Sequence, residues 1–390
     1  MVRTRYLAVA VGFAIVLIFG APFVADLRGA IATAFPLQAR AIIGGVVAVA
    51  IAAALIAAAV RIRASLRDRR AIRYLALGTA LIIGALFARV LSTGDADTDV
   101  VETFHFVEYG VLTLLFYLAW RPIDDVSVLV LPVLAGLLVG TLDEWFQWFI
   151  PSRVGEIRDV ILDGAAVGCG WLFSVGVDPP ARFTLAIRRG SAIRIGAMSV
   201  IVTIVFALFL QTVHLGSDVS DPQIGAFRSR YTRAELESAE RERAERWRET
   251  PLLAVGRVSR EDQYLSEALW HVRRRNQAVS AGDLFTAWRE NRILETFYAP
   301  VLDMPTYVSR AGFRWPVEQR ADIERRAQDD GRTYVSHAEP YPIYVWPKSR
   351  FWTVIALAVA VAIGLCVVTH RSTRHDGTGT SGHGPVGHIW

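Results

Sequence analysis

Long apolar runs, punctuated by short charged stretches, dominate the first half of this chain and recur near its end. A helix needs about 20 apolar residues to cross a bilayer. About eight runs reach that length: roughly Tyr6–Val24, Ala41–Val60, Tyr74–Leu91, Phe104–Trp120, Val128–Ile150, Val160–Val177, Ile195–Leu215 and Phe351–Thr369. Residues 216–350 break the pattern, because there apolar positions recur at helical spacing among many charges. Arg228–Glu249 interleaves Glu and Arg at i,i+3 and i,i+4, as a solvated helix does. Asp262–Val279 and Gly282–Tyr298 carry apolar stripes (Leu265, Ala268 and Val272; Phe285, Trp288 and Leu294) and flank a Ser280–Ala281–Gly282 turn. Pro316 suits the first position of a further helix. Tyr334–Trp346 reads as extended chain, and Tyr341, Tyr344, Trp346 and Trp352 read as an interfacial aromatic belt.

The fold expected is an all-α polytopic membrane protein of about eight transmembrane helices, with a mainly helical extracytoplasmic domain inserted before the last span. Its parts are an N-terminal transmembrane pair with a basic loop (1–73), a transmembrane domain (74–177), a loop and helix (178–215), the inserted domain (216–350), a last span (351–369) and a disordered tail (370–390).

Composition supports this division. Hydrophobic residues make up 53% of the 390, above the 45–50% usual for soluble domains. The two cysteines, Cys169 and Cys366, sit in apolar runs and offer no disulfide framework or zinc-finger spacing. The formal charge of +5 comes from arginine-rich loops beside apolar runs, which indicates membrane orientation rather than nucleic-acid binding. The loop Arg61–Arg73 is the most basic and is expected in the cytoplasm. Counting spans from it puts both termini inside, the acidic loop around Asp95, Asp97 and Asp99 outside, the loop Arg182–Arg194 inside, and residues 216–350 outside. Arg153, Arg158, Lys348 and Arg350 run against the trend. The first apolar run is too long for a signal-peptide core and lacks a small-residue cleavage site, so it reads as a retained span.

Candidate chemistry lies between Glu102 and Gly170. Ionisable groups inside or beside spans are costly and usually serve a function or pair with one another. On the fourth span His105, Glu108 and Tyr109 share one face. At the end of the fifth Asp143 and Gln147 share a face, with Glu144 beside them. At the start of the sixth Asp159 and Asp163 stand at i,i+4. Gly136 and Gly140, and Gly164 and Gly168, have the spacing that lets membrane helices approach closely. The orientation puts all these helix ends, with Arg153, at one depth near the outer leaflet, where Arg153 can grip carboxylates bidentately. A histidine among carboxylates could hold a divalent cation or run acid–base hydrolysis. Carboxylates and an arginine could equally bind a polar headgroup or a peptide-like ligand. The plainer alternative is that these groups cap helix ends and pair in short loops. No helical zinc-protease motif and no Gly-x-Ser-x-Gly elbow is present. His271–Gln277 and Arg289–Glu295 look site-like, but charge runs on helices are usually solvated faces. The tail histidines His375, His383 and His388 are too irregular for a metal site.

The run His105-Phe106, Glu108-Tyr109-Gly110 and Leu112, then Asp143-Glu144, Gln147, Pro151 and Arg153, then Asp159 and Gly170, resembles the VanZ-like family of bacterial membrane proteins. The resemblance covers roughly residues 75–175. It departs where Glu102 replaces a frequent Lys, Asp163 a frequent Asn and Ala166 a frequent Gly, which makes the cluster more acidic. The family's founding member is linked with low-level resistance to the lipoglycopeptide teicoplanin. The resemblance thus implies a multi-pass protein of the bacterial cell (inner) membrane. Its outer-face polar site would take an envelope lipid, another envelope component or a glycopeptide antibiotic. Two rivals are a membrane enzyme acting on lipid-linked envelope substrates and an assembly protein whose outer domain docks a protein partner.

Overall fold

The computed structural model describes residues 2–65, 69–92, 94, 96–150, 153–180, 182–222, 224–250, 262–306, 309–327 and 334–375. Pro151, His383, His388 and parts of the basic and acidic loops (66–68, 93 and 95) lie outside them, as does the side chain of His375. Among the described residues eight helices are long and apolar enough to cross a membrane. Seven come first: α1 (Thr4–Ala34), α2 (Ala39–Ala64), α3 (Arg70–Val90), α4 (Ala96–Trp120), α5 (Ser127–Phe149), α6 (Ile157–Val177) and α7 (Arg189–Val213). The eighth, at Lys348–His375, follows the inserted segment and carries its helix past residue 369, through the start of the stretch expected to be a tail. The chain is an all-α polytopic membrane protein with little sheet. It folds as two compact units: Met1–Gln147 with Gly155–Phe209 and Trp352–Trp390, and Trp148–Val154 with Leu210–Phe351.

In the first unit α4 packs on α6, α6 on α3, and α1 and α2 on α4. Helices in lipid gain little from burying apolar surface, so close backbone approach and polar contacts decide their packing. Gly170 provides that approach: a Cβ there would sit 2.8 Å from the Gly110 Cα on α4. A Cβ at Gly140 would sit 2.9 Å from the Asp163 Cβ, so a larger residue would collide with a site carboxylate. Of the pair Gly164 and Gly168, only Gly164 is crowded, 3.3 Å from Leu137 Cδ2, whereas Gly168 faces open space. The outward faces of α1, α2 and α3 expose Phe23, Val49, Ile82 and Leu86, which suits helices bathed in hydrocarbon.

The end of this bundle away from the acidic cluster is tied by arginines. Buried Arg73 donates to the Gly176 carbonyl (2.8 Å) and the Val177 carbonyl (2.5 Å), closing the last turn of α6. Arg121 pairs with Asp178 at 2.6 Å and Arg188 with Asp124 at 2.6 Å. The basic loops therefore contribute structure as well as charge.

The second unit builds a four-stranded sheet from β1 (Leu215–Asp221), β2 (Gly225–Ser229), β3 (Ser336–His337) and β4 (Tyr344–Val345), in the order β3-β2-β1-β4. Its helices are α8 (Arg233–Glu249), α9 (Gln263–Ala281), α10 (Leu284–Phe297), α11 (Ala299–Leu302) and α12 (Val317–Arg326), and the last apolar helix becomes α13. Leu215 thus opens a strand rather than ending a span, and Arg228 and Ser229 end β2 rather than starting a helix. A buried strand and a helix end look alike in a short apolar run. Helix α8 begins where Thr232 and Glu235 form a reciprocal cap, with Thr232 N donating to Glu235 at 2.7 Å. Pro316 stands as the N-cap of α12 instead of its first residue.

The core of this unit holds Phe227, Tyr264, Val272, Leu294, Phe297 and Tyr298. Three polar networks run through it, and two of them correct the expectation of solvated faces at His271–Gln277 and Arg289–Glu295. His271 and Glu290 are fully buried and hydrogen-bonded at 2.6 Å. Arg275 is buried against Asn291 (2.8 Å) and the Phe313 carbonyl (2.6 Å). Glu267, also buried, accepts from Ser229 Oγ (2.6 Å), Tyr298 OH (2.8 Å) and Arg230 N (3.0 Å). Tyr341, expected in an interfacial belt, is buried because its hydroxyl accepts from Trp148 Nε1 at 2.8 Å. Arg230 stacks over the same Trp148 ring at 5.0 Å.

Two of these networks titrate in opposite directions. Burial pushes Glu267 up from the usual 4.5 to about 7 despite its three donors. Burial also opposes ionisation of Glu290, but His271 and Arg274 outweigh it and hold the carboxyl down at about 2. The Glu290 contribution to stability is thus complete above pH 4.5 and is lost as the pH falls through about 2. The Glu267 contribution is complete below 4.5 and is lost as the pH rises through about 7.

Two outcomes follow for the detergent-purified chain, read by thermal unfolding. Gly170→Leu lowers stability by about 1–3 kcal/mol or blocks folding, while Gly168→Ala leaves it unchanged. Glu290→Gln costs about 3–5 kcal/mol at pH 7, because it strips His271 of its buried partner. Its deficit against wild type shrinks as the pH falls from 4.5 towards 2.

Candidate functional site

The acidic groups converge because three helix ends meet. Helix α4 begins, α5 ends and α6 begins at the same end of the bundle, and the contacts of Gly140 and Gly170 hold them close. His105 on α4 is hydrogen-bonded through Nδ1 to Asp163 Oδ1 on α6 at 2.7 Å. One turn further along α4, the Tyr109 hydroxyl donates to Asp143 Oδ2 on α5 at 3.0 Å. The two rings lie parallel, 4° apart in plane and 6.0 Å between centroids. Asp163, His105, Tyr109 and Asp143 thus form one connected chain across three helices.

The remaining groups surround it. Glu144 accepts from Gln147 Nε2 at 3.0 Å and from the Glu156 backbone N at 3.3 Å, so both its oxygens hold the turn from α5 into α6. Glu108 is half-buried on α4, near enough to His105 to interact with it electrostatically. Asp159 accepts from Arg158 NH1 at 2.9 Å. Arg158 also donates to Glu102 at 2.6 Å and, through Nε, to the Leu91 carbonyl at 3.0 Å, tying the ends of α3, α4 and α6 together. Glu156, in the turn before α6, has its carboxyl pushed up by burial, opposed by Arg158 and reinforced by Glu102.

The arrangement differs from the sequence expectation in two respects. An arginine beyond the expected Arg153 is bonded to cluster carboxylates: Arg158 pairs with both Asp159 and Glu102. Arg153 falls in the Trp148–Val154 stretch, which groups with the second unit. The signal for Arg158 is its place beside Asp159 at a helix start, within reach of acidic partners. The second difference is depth. Tyr109, Asp143, Glu144, Gln147 and Asp163 are interior groups, none more than 6% exposed, while His105, Asp159, Glu102 and Arg158 form a half-buried rim.

The buried carboxylates are not equally satisfied. Asp143 Oδ1 and Asp163 Oδ2 are buried without a hydrogen-bond partner among the described residues. Leaving such an acceptor unmade costs about 1–3 kcal/mol, more for a charged group, so an uncommitted pair is an unusual feature for a purely structural network. The unmet need is for donors: an ammonium, an amide N–H, a hydroxyl or a cation. Among the described residues, no set of three or more His, Cys, Asp or Glu side chains is grouped so as to hold a metal ion.

If the His105–Asp163 link carries this network, His105→Ala should destabilise the purified chain by about 3–5 kcal/mol, the cost of stranding a buried carboxylate. Asp163→Ala in the same background should recover part of that loss. A double-mutant cycle on melting temperatures should give a coupling of at least about 1 kcal/mol, and additive effects would show that the two groups do not act as a pair.

The family model described as VanZ/LLP1 matches residues 46–177, about a third of the chain. No curated protein and no solved structure matches it. The matched stretch begins inside α2 and ends with α6, so it contains every residue of the His105–Asp143 network. Residues 46–177 of this multi-pass membrane protein are therefore a VanZ-like region.

Proposed function

We propose that the VanZ-like region is an envelope-facing binding site in a bacterial cell membrane, and that its acidic network takes the donor-bearing polar group of an envelope component or of a lipoglycopeptide. The observation that carries the reading is the pair of buried, uncommitted oxygens on Asp143 and Asp163. Carboxylates outnumber basic groups around them, which selects amine, amide or hydroxyl donors over phosphate or carboxylate. Arg158 and Glu102 at the rim hold the helix ends in place. The arginine-rich loops favour both termini in the cytoplasm, which puts the network at the outer face. It puts the second unit outside as well, where it is the part available to a protein partner.

The test is drug susceptibility of a Gram-positive host expressing the chain, comparing teicoplanin with vancomycin and wild type with Asp143→Asn at matched membrane levels. Asp143→Asn keeps the shape of the side chain and removes its charge. Protection against teicoplanin that is selective and is lost in the variant supports the site. No protection from well-expressed wild type overturns the glycopeptide reading. A variant that fails to accumulate as folded protein would instead assign the network to holding the bundle.

A further inference from the structure

Beside the polar network, on the other side of α4, the first unit contains a recess of about 520 Å³ walled by α2, α3, α4 and α6. Its wall is made of small and apolar residues, including Ala54, Ala85, Gly84 and Gly110. Among the described residues, Thr103 and Cys169 are its only polar side chains, and both are turned to backbone: Thr103 Oγ1 donates to the Val100 carbonyl (2.6 Å) and Cys169 Sγ to that of Ala80 (3.2 Å). The recess therefore offers nothing for water to bond, and an empty space of this size would forfeit packing along its whole lining. An apolar occupant suits it better than water.

The shape limits what that is. The wall runs from Thr103 to Leu114 on α4 and from Leu77 to Ala88 on α3, in both cases about 16 Å at 1.5 Å per residue. That is about half of the ~30 Å hydrocarbon core, the depth of one leaflet. A transmembrane helix of a second copy would need a groove along the full thickness. Here the far end is closed where Ala58, Ile62 and Leu77 pack with Phe173. The near end opens beside the polar rim: Thr103 follows Glu102, and Leu91, whose carbonyl takes Arg158, lies one turn beyond Ala88.

We propose that this recess holds one acyl chain of a membrane lipid. Resting on the function proposed above, the ligand of the acidic network is then itself a lipid, with a donor-bearing headgroup at the network and its tail in the slot. The small residues keep the slot open, and Phe106, next to His105 on α4, forms part of its lining.

The experiment uses the full chain in liposomes containing phosphatidylethanolamine with a photoactivatable group in its tail, and phosphatidylglycerol carrying the same tail as the comparison lipid. Cross-links are mapped by peptide mass spectrometry. Labelling is expected to concentrate on the slot faces of α2, α3, α4 and α6. Ala54→Trp and Ala85→Trp, each filling the slot from an exposed position, should cut it about fivefold or more with the melting temperature unchanged. Labelling that either variant leaves untouched, or that spreads evenly over α1 and α13, overturns the slot. Cross-links between two copies through these faces would make the occupant a helix and also overturn it. Asp143→Asn separates the two readings. It should leave tail labelling in place and abolish a preference for phosphatidylethanolamine over phosphatidylglycerol. Slot labelling without any headgroup preference in wild type would retain the slot and overturn the headgroup site.

Discussion

The first unit depends on the backbone contact between α4 and α6 at Gly110 and Gly170. In lipid no large gain comes from hiding apolar surface, so two helices stay together only if their backbones come close or their polar groups bond. Here both happen along one seam. The glycine contact brings α6 near enough for Asp163 to reach His105 across the interface. The same seam lets Gly140 of α5 lie directly against Asp163, which sets the third helix and brings Asp143 to Tyr109. A bulkier residue at either glycine would therefore disturb the packing and the network together.

This coupling explains why so acidic a cluster is tolerated at the end of a membrane bundle. Most of its capacity is used: Glu144 on the turn into α6, Asp159 and Glu102 on Arg158, and one oxygen each of Asp143 and Asp163 on α4. What is left over is small and localised, two oxygens on two helices. Localised residual capacity, rather than the total number of charges, distinguishes a site from a set of helix caps.

The second unit solves a different problem with similar parts. It buries ionisable groups by pairing them: Glu290 with His271, and Glu267 with three donors. Such networks specify one packing of α9 and α10 against the sheet, since a register error would leave a charge unpaired. His271–Gln277 and Arg289–Glu295 look like solvated charge runs because α9 carries exposed Arg273, and α10 half-buried Arg289, Arg292 and Glu295, beside the buried groups. Which turn faces inward depends on the partner helix.

Apolar run length by itself determined the membrane class and the number of spans, because lipid imposes a length and a polarity on any helix that crosses it. Motif order and spacing over His105–Gly170 determined the family resemblance, and the i,i+3 and i,i+4 positions determined which site residues share a helix face. Tertiary structure alone decided the rest. That Arg158 joins Glu102 and Asp159 depends on how the ends of α3, α4 and α6 meet. Whether Gly168 or Gly170 touches a neighbour depends on the crossing of α4 and α6. The burial of His271 and Tyr341 depends on partners far away in sequence. Spacing along one helix names a face, but only the approach of a second helix decides what that face meets.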